Sequence, residues 1–170
     1  LAVTLALVEG VLRVFHLGPK QFGSGNQYVF YRFDPVLGWS NLPSASGDFA
    51  RAEFQHRVDT NSLAMRDREP GPRAAGNLAV AVLGDSFTWG LGAAYGERYT
   101  EVMEQADPRI DAWNYGVSGY APVQYLLELD EVLKRKPDFV LLAFCLSNDL
   151  VDNVTSVASG YEKPWARTSN

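Results

Sequence analysis

The sequence predicts an α/β fold: a doubly wound, flavodoxin-like, three-layer parallel sheet. Three observations predict it. From residue 77 onward, short apolar runs alternate with amphipathic stretches, and the order reads strand–helix–strand–helix–strand. Gly, Asn, Pro and Asp punctuate the joints. Each apolar run gives way to small or polar residues, as strands do where they lead into loops. At 170 residues the chain can bury a core, and its 46% hydrophobic content is ordinary for a globular protein.

Residues 1–17 are apolar but interrupted by Glu9, Arg13 and His16, and they fall short of the ~20 apolar residues that cross a bilayer. They read as the trailing end of a membrane anchor or signal segment whose start is absent, or as an amphipathic first helix. The first reading places the protein outside the cytoplasm and membrane-anchored, the second in the cytoplasm. Residues 18–76 form an irregular N-terminal extension laid against the main domain. Within it QYVFYRF is strand-like, DPVLGW is a turn, FQHRVDTNS is a second short strand and REPGPRAAGN is a boundary loop.

Residues 77–170 carry the main domain. LAVAVL is a buried strand. Residues 95–106 form a helix with Tyr99, Val102, Met103 and Ala106 on one face, closed by Asp107-Pro108. DAWNYGV is the second strand. PVQYLLELDEVLKRK is a helix with Pro122 in its first turn and Val123, Leu126, Leu127 and Leu133 inward. Its last residues, Lys134-Arg135-Lys136, complement the helix dipole. FVLLAFCL is the third strand, apolar throughout, as in a parallel sheet covered on both faces. The tail after Asn153 reads as a loop leading into a continuation, and a three-stranded sheet is small, so the C-terminal part of the domain is expected to be missing.

Composition removes several functions. A net charge of −5 with scattered basic residues argues against nucleic acid as a partner. Cys145 is the sole cysteine, so there is no intrachain disulfide and no thiolate zinc site; it reads as a small core hydrophobe. Gly90, Gly92 and Gly96 follow a strand, but their spacing is not the dinucleotide fingerprint, and no P-loop lysine is present. No cofactor and no metal are expected. Asp85 and Asp149 read as residues that hold turn amides rather than as catalytic carboxylates or metal ligands.

The chemistry should sit beyond the carboxyl ends of the strands, where Gly84-Asp85-Ser86, then Tyr115-Gly116-Val117-Ser118-Gly119, then Ser147-Asn148-Asp149 converge. A serine at a strand-to-helix turn can act as a nucleophile if donors stabilise the oxyanion it creates. Ser86 offers its hydroxyl and its own N–H, Gly119 an accessible N–H, and Asn148 a side-chain amide. Trp89 and Tyr120 line a groove there or fill the core.

GDSFTWG, NYGVSG and SNDLVDN resemble, in order, the first three sequence blocks of the SGNH hydrolases, the GDSL esterase/lipase family. Phe87 stands where the family name implies Leu. The resemblance covers residues 77–153 and implies that Ser86 is the nucleophile and that Gly119 and Asn148 complete its oxyanion hole. It implies an ester hydrolase (an O-acyl esterase or deacetylase) working through an acyl-enzyme on a small-molecule or glycan O-acyl ester. An O-acyltransferase on the same scaffold, or a non-catalytic module binding a glycan or protein partner, are the alternatives. DPVLGW and TNSLAMRD resemble the N-terminal stretch of membrane-anchored or exported bacterial members, in which Gly often stands at the position of Ala64. The family's D-x-x-H is absent. The histidines are His16 and His56, and His56 reads as a solvated strand residue, so the acid and base are expected beyond Asn170.

Overall fold

The computed structural model describes Thr4, residues 30–158 and residues 161–167. Apart from Thr4, the segment read as an anchor end, with His16, lies outside the described residues. Among the described residues, no helix is long and apolar enough to cross a membrane.

The centre is a mixed α/β arrangement built on a three-stranded parallel sheet of β5 (Leu78–Gly84), β6 (Ile110–Gly116) and β7 (Phe139–Ala143), in the order β6-β5-β7. Val82 of β5 stands opposite Asn114 and Leu141, and Gly84 opposite Gly116 and Ala143. Parallel strands need crossovers, and here the connections run through α1 (Ser86–Trp89) and α2 (Tyr99–Ala106), then through α3 (Pro122–Lys134). Alternation along β5 sends Ala81 and Leu83 to one face, where they cluster with Tyr125 and Val132 of α3. On the opposite face the Asn114 amide donates to the Thr88 carbonyl at 2.7 Å and to Thr100 Oγ1 at 3.2 Å, joining β6 to α1 and α2.

The helices bury other faces than hydropathy predicts. In α2 the buried residues are Thr100 and Glu101, while Val102 is exposed. Glu101 is inward because it pairs with the fully buried Arg98 guanidinium. The helix starts at Tyr99, not at residue 95, because residues 95–97 form a turn and Arg98 is its extended N-cap. In α3, Leu126 is 69% exposed and Leu127 and Leu133 are also exposed, whereas Gln124, Tyr125 and Val132 are buried. Gln124 is held there by hydrogen bonds: its carbonyl accepts from Ala121 N at 3.0 Å and its amide donates to the Leu37 carbonyl at 2.8 Å. Pro122 opens this helix as its sequence predicts, but the helix ends at Lys134, before Arg135 and Lys136, and Lys136 has a φ of +55°.

Strand β7 is shorter than FVLLAFCL and is exposed along Phe139–Leu142, not covered on both faces. It ends the sheet, with β5 on one side and, among the described residues, no strand on the other. Cys145 lies past its end, half-buried, with its thiol 3.1 Å from Ser147 Oγ rather than inside the core.

Upstream, β1 (Tyr31–Asp34) and β2 (Gly38–Asn41) form an antiparallel hairpin. The DPVLGW turn closes it, with the Asp34 carboxylate accepting from Val36 N and Leu37 N, each at 2.9 Å. A second pair joins β3 (Ser46–Ala50), which hydropathy did not announce, to β4 (Gln55–Asp59). Trp39 of β2 packs into the same cluster as β5 and α3, and Phe49 and Val58 pack with Trp89. The chain ends in α4 (Asp149–Asp152) and a short pair, β8 (Val157–Ala158) with β9 (Tyr161–Glu162). This pair was expected to be loop; instead Tyr161 meets the Trp39 ring at 6.3 Å between centroids.

Candidate functional site

Ser86 opens α1 directly beyond β5. Two glycines bring this short helix down onto the sheet: a Cβ at Gly116 would lie 2.2 Å from Trp89 N, and one at Gly84 would lie 2.0 Å from Thr88 Oγ1. Asp85 caps the helix, its buried carboxylate accepting from Phe87 N at 2.9 Å. Asp85 therefore does hold a turn amide. Ser86 itself is half-buried, and its carbonyl accepts from Gly90 N and Leu91 N. Its hydroxyl makes no hydrogen bond among the described residues.

The far end of α1 is held by Arg66. Its buried guanidinium donates to the carbonyls of Trp89, Gly90 and Ala93 at 2.8, 2.6 and 2.8 Å, and lies 4.4 Å from the Trp89 ring centroid. Desolvation, with Arg98 close by, lowers its pKa to about 10, so it stays charged at neutral pH. TNSLAMRD is thus a brace for the turn that carries Ser86. Ala64 within it has φ of +63°, the left-handed region that glycine takes without strain.

Gly119 sits in the turn after β6, where Val117 N extends the ladder to the Gly84 carbonyl at 3.1 Å and Tyr120 N bonds back to the Val117 carbonyl at 3.1 Å. Its φ is +81°, and a Cβ would come within 3.2 Å of Trp39 Cζ2. The Trp39 indole N–H donates to the Ser118 carbonyl at 3.0 Å, while Tyr120 donates its hydroxyl to the Trp39 carbonyl at 2.6 Å. In a trans peptide the C=O and the next N–H point oppositely. Fixing the Ser118 carbonyl therefore fixes the Gly119 N–H on the other side of the peptide from the indole.

Asn148 occupies the N-cap position of α4. Its amide donates to the Asp152 carboxylate at 2.8 Å, which uses one N–H of the two that an amide carries. Asp149 beside it is fully buried, accepting from Cys145 N at 2.9 Å and from the Tyr125 hydroxyl at 3.3 Å. It too holds a turn amide. Burial raises its pKa, and the charge of Asp85 adds to that shift, so the loops of Ser86 and Asn148 sense one another through their aspartates.

The three residues leave the carboxyl ends of three adjacent parallel strands. A cavity of about 220 Å³ reaches Ser118 and Gly119 and is not lined by Ser86 or Asn148. Trp89 and Tyr120 are core residues, fully buried. His56 lies on β4 and is not a solvated residue. It is half-buried, stacked on Phe54 at 5.3 Å and near Phe49 at 5.8 Å, and its Nε2 has no hydrogen-bond partner. Desolvation lowers its pKa. Among the described residues, no group of His, Cys, Asp or Glu is placed to hold a metal ion.

Sequence reasoning missed Trp39, Arg66 and Asn114 as parts of this region. The first two were visible only as members of DPVLGW and TNSLAMRD; Asn114 opens NYGVSG, and its side-chain Oδ1 accepts from Gly116 N at 2.9 Å. The chain matches no protein-family model and no curated protein sequence.

Proposed function

We propose that this chain carries the nucleophile and oxyanion elements of a serine ester hydrolase of the SGNH type, on a doubly wound, flavodoxin-like sheet. The observation that carries the reading is the placement of Ser86, Gly119 and Asn148 on loops leaving three neighbouring parallel strands, in the order of the three sequence blocks. Ser86 Oγ attacks the ester carbonyl. The Ser86 N–H, the Gly119 N–H and the remaining Asn148 amide N–H receive the negative charge that develops on the carbonyl oxygen, a role worth about 3–4 kcal/mol for a single donor. The alcohol leaves, and water or a second alcohol resolves the acyl-enzyme, giving hydrolysis or transfer. The proton of Ser86 needs a base, and His56, enclosed by aromatic rings, does not bond to it. A histidine beyond Asn170 is proposed to take and return that proton, with residues 1–17 as the end of an anchor that holds the domain outside the cytoplasm.

The test is Ser86→Ala in the full-length protein with p-nitrophenyl acetate. Turnover should fall by about 10³-fold or more; unchanged turnover overturns the assignment. The unpartnered Ser86 hydroxyl favours one second reading, a non-catalytic module that binds an acylated glycan. That reading gains if the full-length chain binds such a glycan and releases no acyl group.

A further inference from the structure

We infer that the cavity beside Gly119 is a binding subsite for a carboxylate-bearing ring. Four aromatic side chains, Tyr31, Trp39, Phe49 and Tyr161, form much of its lining, and Phe33 joins them at the mouth of the β1–β2 hairpin. Among the described residues that line it, the charged ones are Arg32 and Arg51 and none is acidic, in a chain whose net charge is −5. Burial pushes the Tyr31 hydroxyl up to about 12, so this residue stays a neutral hydrogen-bonding group.

Each part of the lining selects one part of such a ligand. Aromatic faces take a flat or chair-shaped ring edge-on or stacked, and guanidinium groups pair with carboxylate in a planar fork. The Arg51 guanidinium is 5.7 Å from the Phe49 ring centroid, so charge and ring surface are presented side by side. A volume of about 220 Å³ admits one ring and its substituents rather than a polymer. Gly119 closes one wall, so a ring seated here stands next to the amide assigned above to the oxyanion. That adjacency makes the ring the part of the ester that does not react, and this last step rests on the hydrolase reading; the binding itself does not.

Two sources supply such a ring, an acidic sugar and an aromatic acid, and the experiment separates them. The full-length chain is titrated with glucuronate and with benzoate, and with methyl glucoside and benzyl alcohol as neutral counterparts. Heat and tryptophan emission report binding, since Trp39 lines the site. One acid should bind about tenfold more tightly than its neutral counterpart, and raised salt should weaken it. Tighter glucuronate identifies a saccharide, and tighter benzoate an aromatic acid. The pair Arg32→Gln and Arg51→Gln changes two exposed side chains and should cost about tenfold in affinity while the far-UV spectrum of the folded chain is retained. Binding of neither acid above its neutral counterpart overturns the inference, as does acid binding that the arginine pair leaves intact. Ser86→Ala should leave ring binding untouched. If it also leaves ester turnover unchanged, the hydrolase reading falls while the subsite stands.

Discussion

Strands β5 and β7 lie side by side and are both almost wholly apolar, yet they occupy opposite environments. Between Ala79 and Gly84 every residue of β5 is buried, whereas Phe139–Leu142 of β7 are all exposed. The difference follows from neighbours rather than composition. β5 has a strand on each edge, α1 on one face and α3 on the other, while β7, among the described residues, pairs with β5 alone. The candidate site straddles this divide. Ser86 and Gly119 rise from the packed side, where close glycine contacts, Arg66 and Trp39 fix the backbone. Asn148 hangs from the open side and is held mainly by the local carboxylates of Asp149 and Asp152. Preorganisation is therefore uneven across the three proposed donors, and the weakest support is under Asn148.

The largest effect expected is at the point where the packed side is tightest. Gly116→Ala should cost about 3–5 kcal/mol in urea unfolding, because its Cβ would meet helix backbone that has nowhere to move. A loss below about 1 kcal/mol would mean that α1 is not seated on the sheet and would break the contrast.

A paired truncation sharpens it. Val82→Ala removes a fully buried side chain and should cost about 2 kcal/mol. Leu141→Ala, directly opposite on β7 and 40% exposed, should cost under about 1 kcal/mol. Equal losses would reveal that β7 is covered in solution.

The packed side also predicts a pH dependence. Burial raises the Asp67 carboxyl to about 6, although backbone donors Arg68 N at 2.7 Å and Asn114 N at 3.0 Å oppose the shift. A carboxyl with a raised folded pKa binds its proton more tightly when folded. Its contribution is therefore full below the unfolded value near 4 and is lost as pH rises through about 6. Unfolding midpoints measured from pH 4 to 7 should show a decline of about 2 kcal/mol that Asp67→Asn flattens. An identical slope in the variant would assign the decline to another group.

The smallest effect concerns the brace around Arg66. Ala64→Gly relieves a left-handed alanine but loosens the unfolded chain, so a net gain of about 0.5 kcal/mol is expected in the melting curve. A loss of stability would show that the Ala64 methyl group does more than tolerate its strain.

What the sequence made legible is what depends on local chemistry. The strand–helix order, the Asp34 turn, the first-turn Pro122 and the turn amides held by Asp85 and Asp149 all follow from neighbours within a few residues. The faces of α2 and α3 did not, because Thr100 and Gln124 are buried by hydrogen bonds to distant groups and Glu101 by its ion pair with the buried Arg98, none of which hydropathy registers. Apolar content marked β7 as a strand but could not say whether it had neighbours. The candidate site was legible as three loop ends. Its supports were not, since Trp39 and Arg66 act from strands and turns far upstream.

The bond from the Trp39 indole to the Ser118 carbonyl has a consequence for the order of folding. It closes a span of 79 residues, and its companions Tyr120–Trp39 and Gln124–Leu37 close spans of 81 and 87. The Asp85–Phe87 cap spans two. Long closures come late because chain entropy is lost before the contact repays it. The serine turn can thus form while the chain is still open, and the Gly119 amide acquires its fixed direction only when the first hairpin docks, which makes a competent site one of the final products of folding.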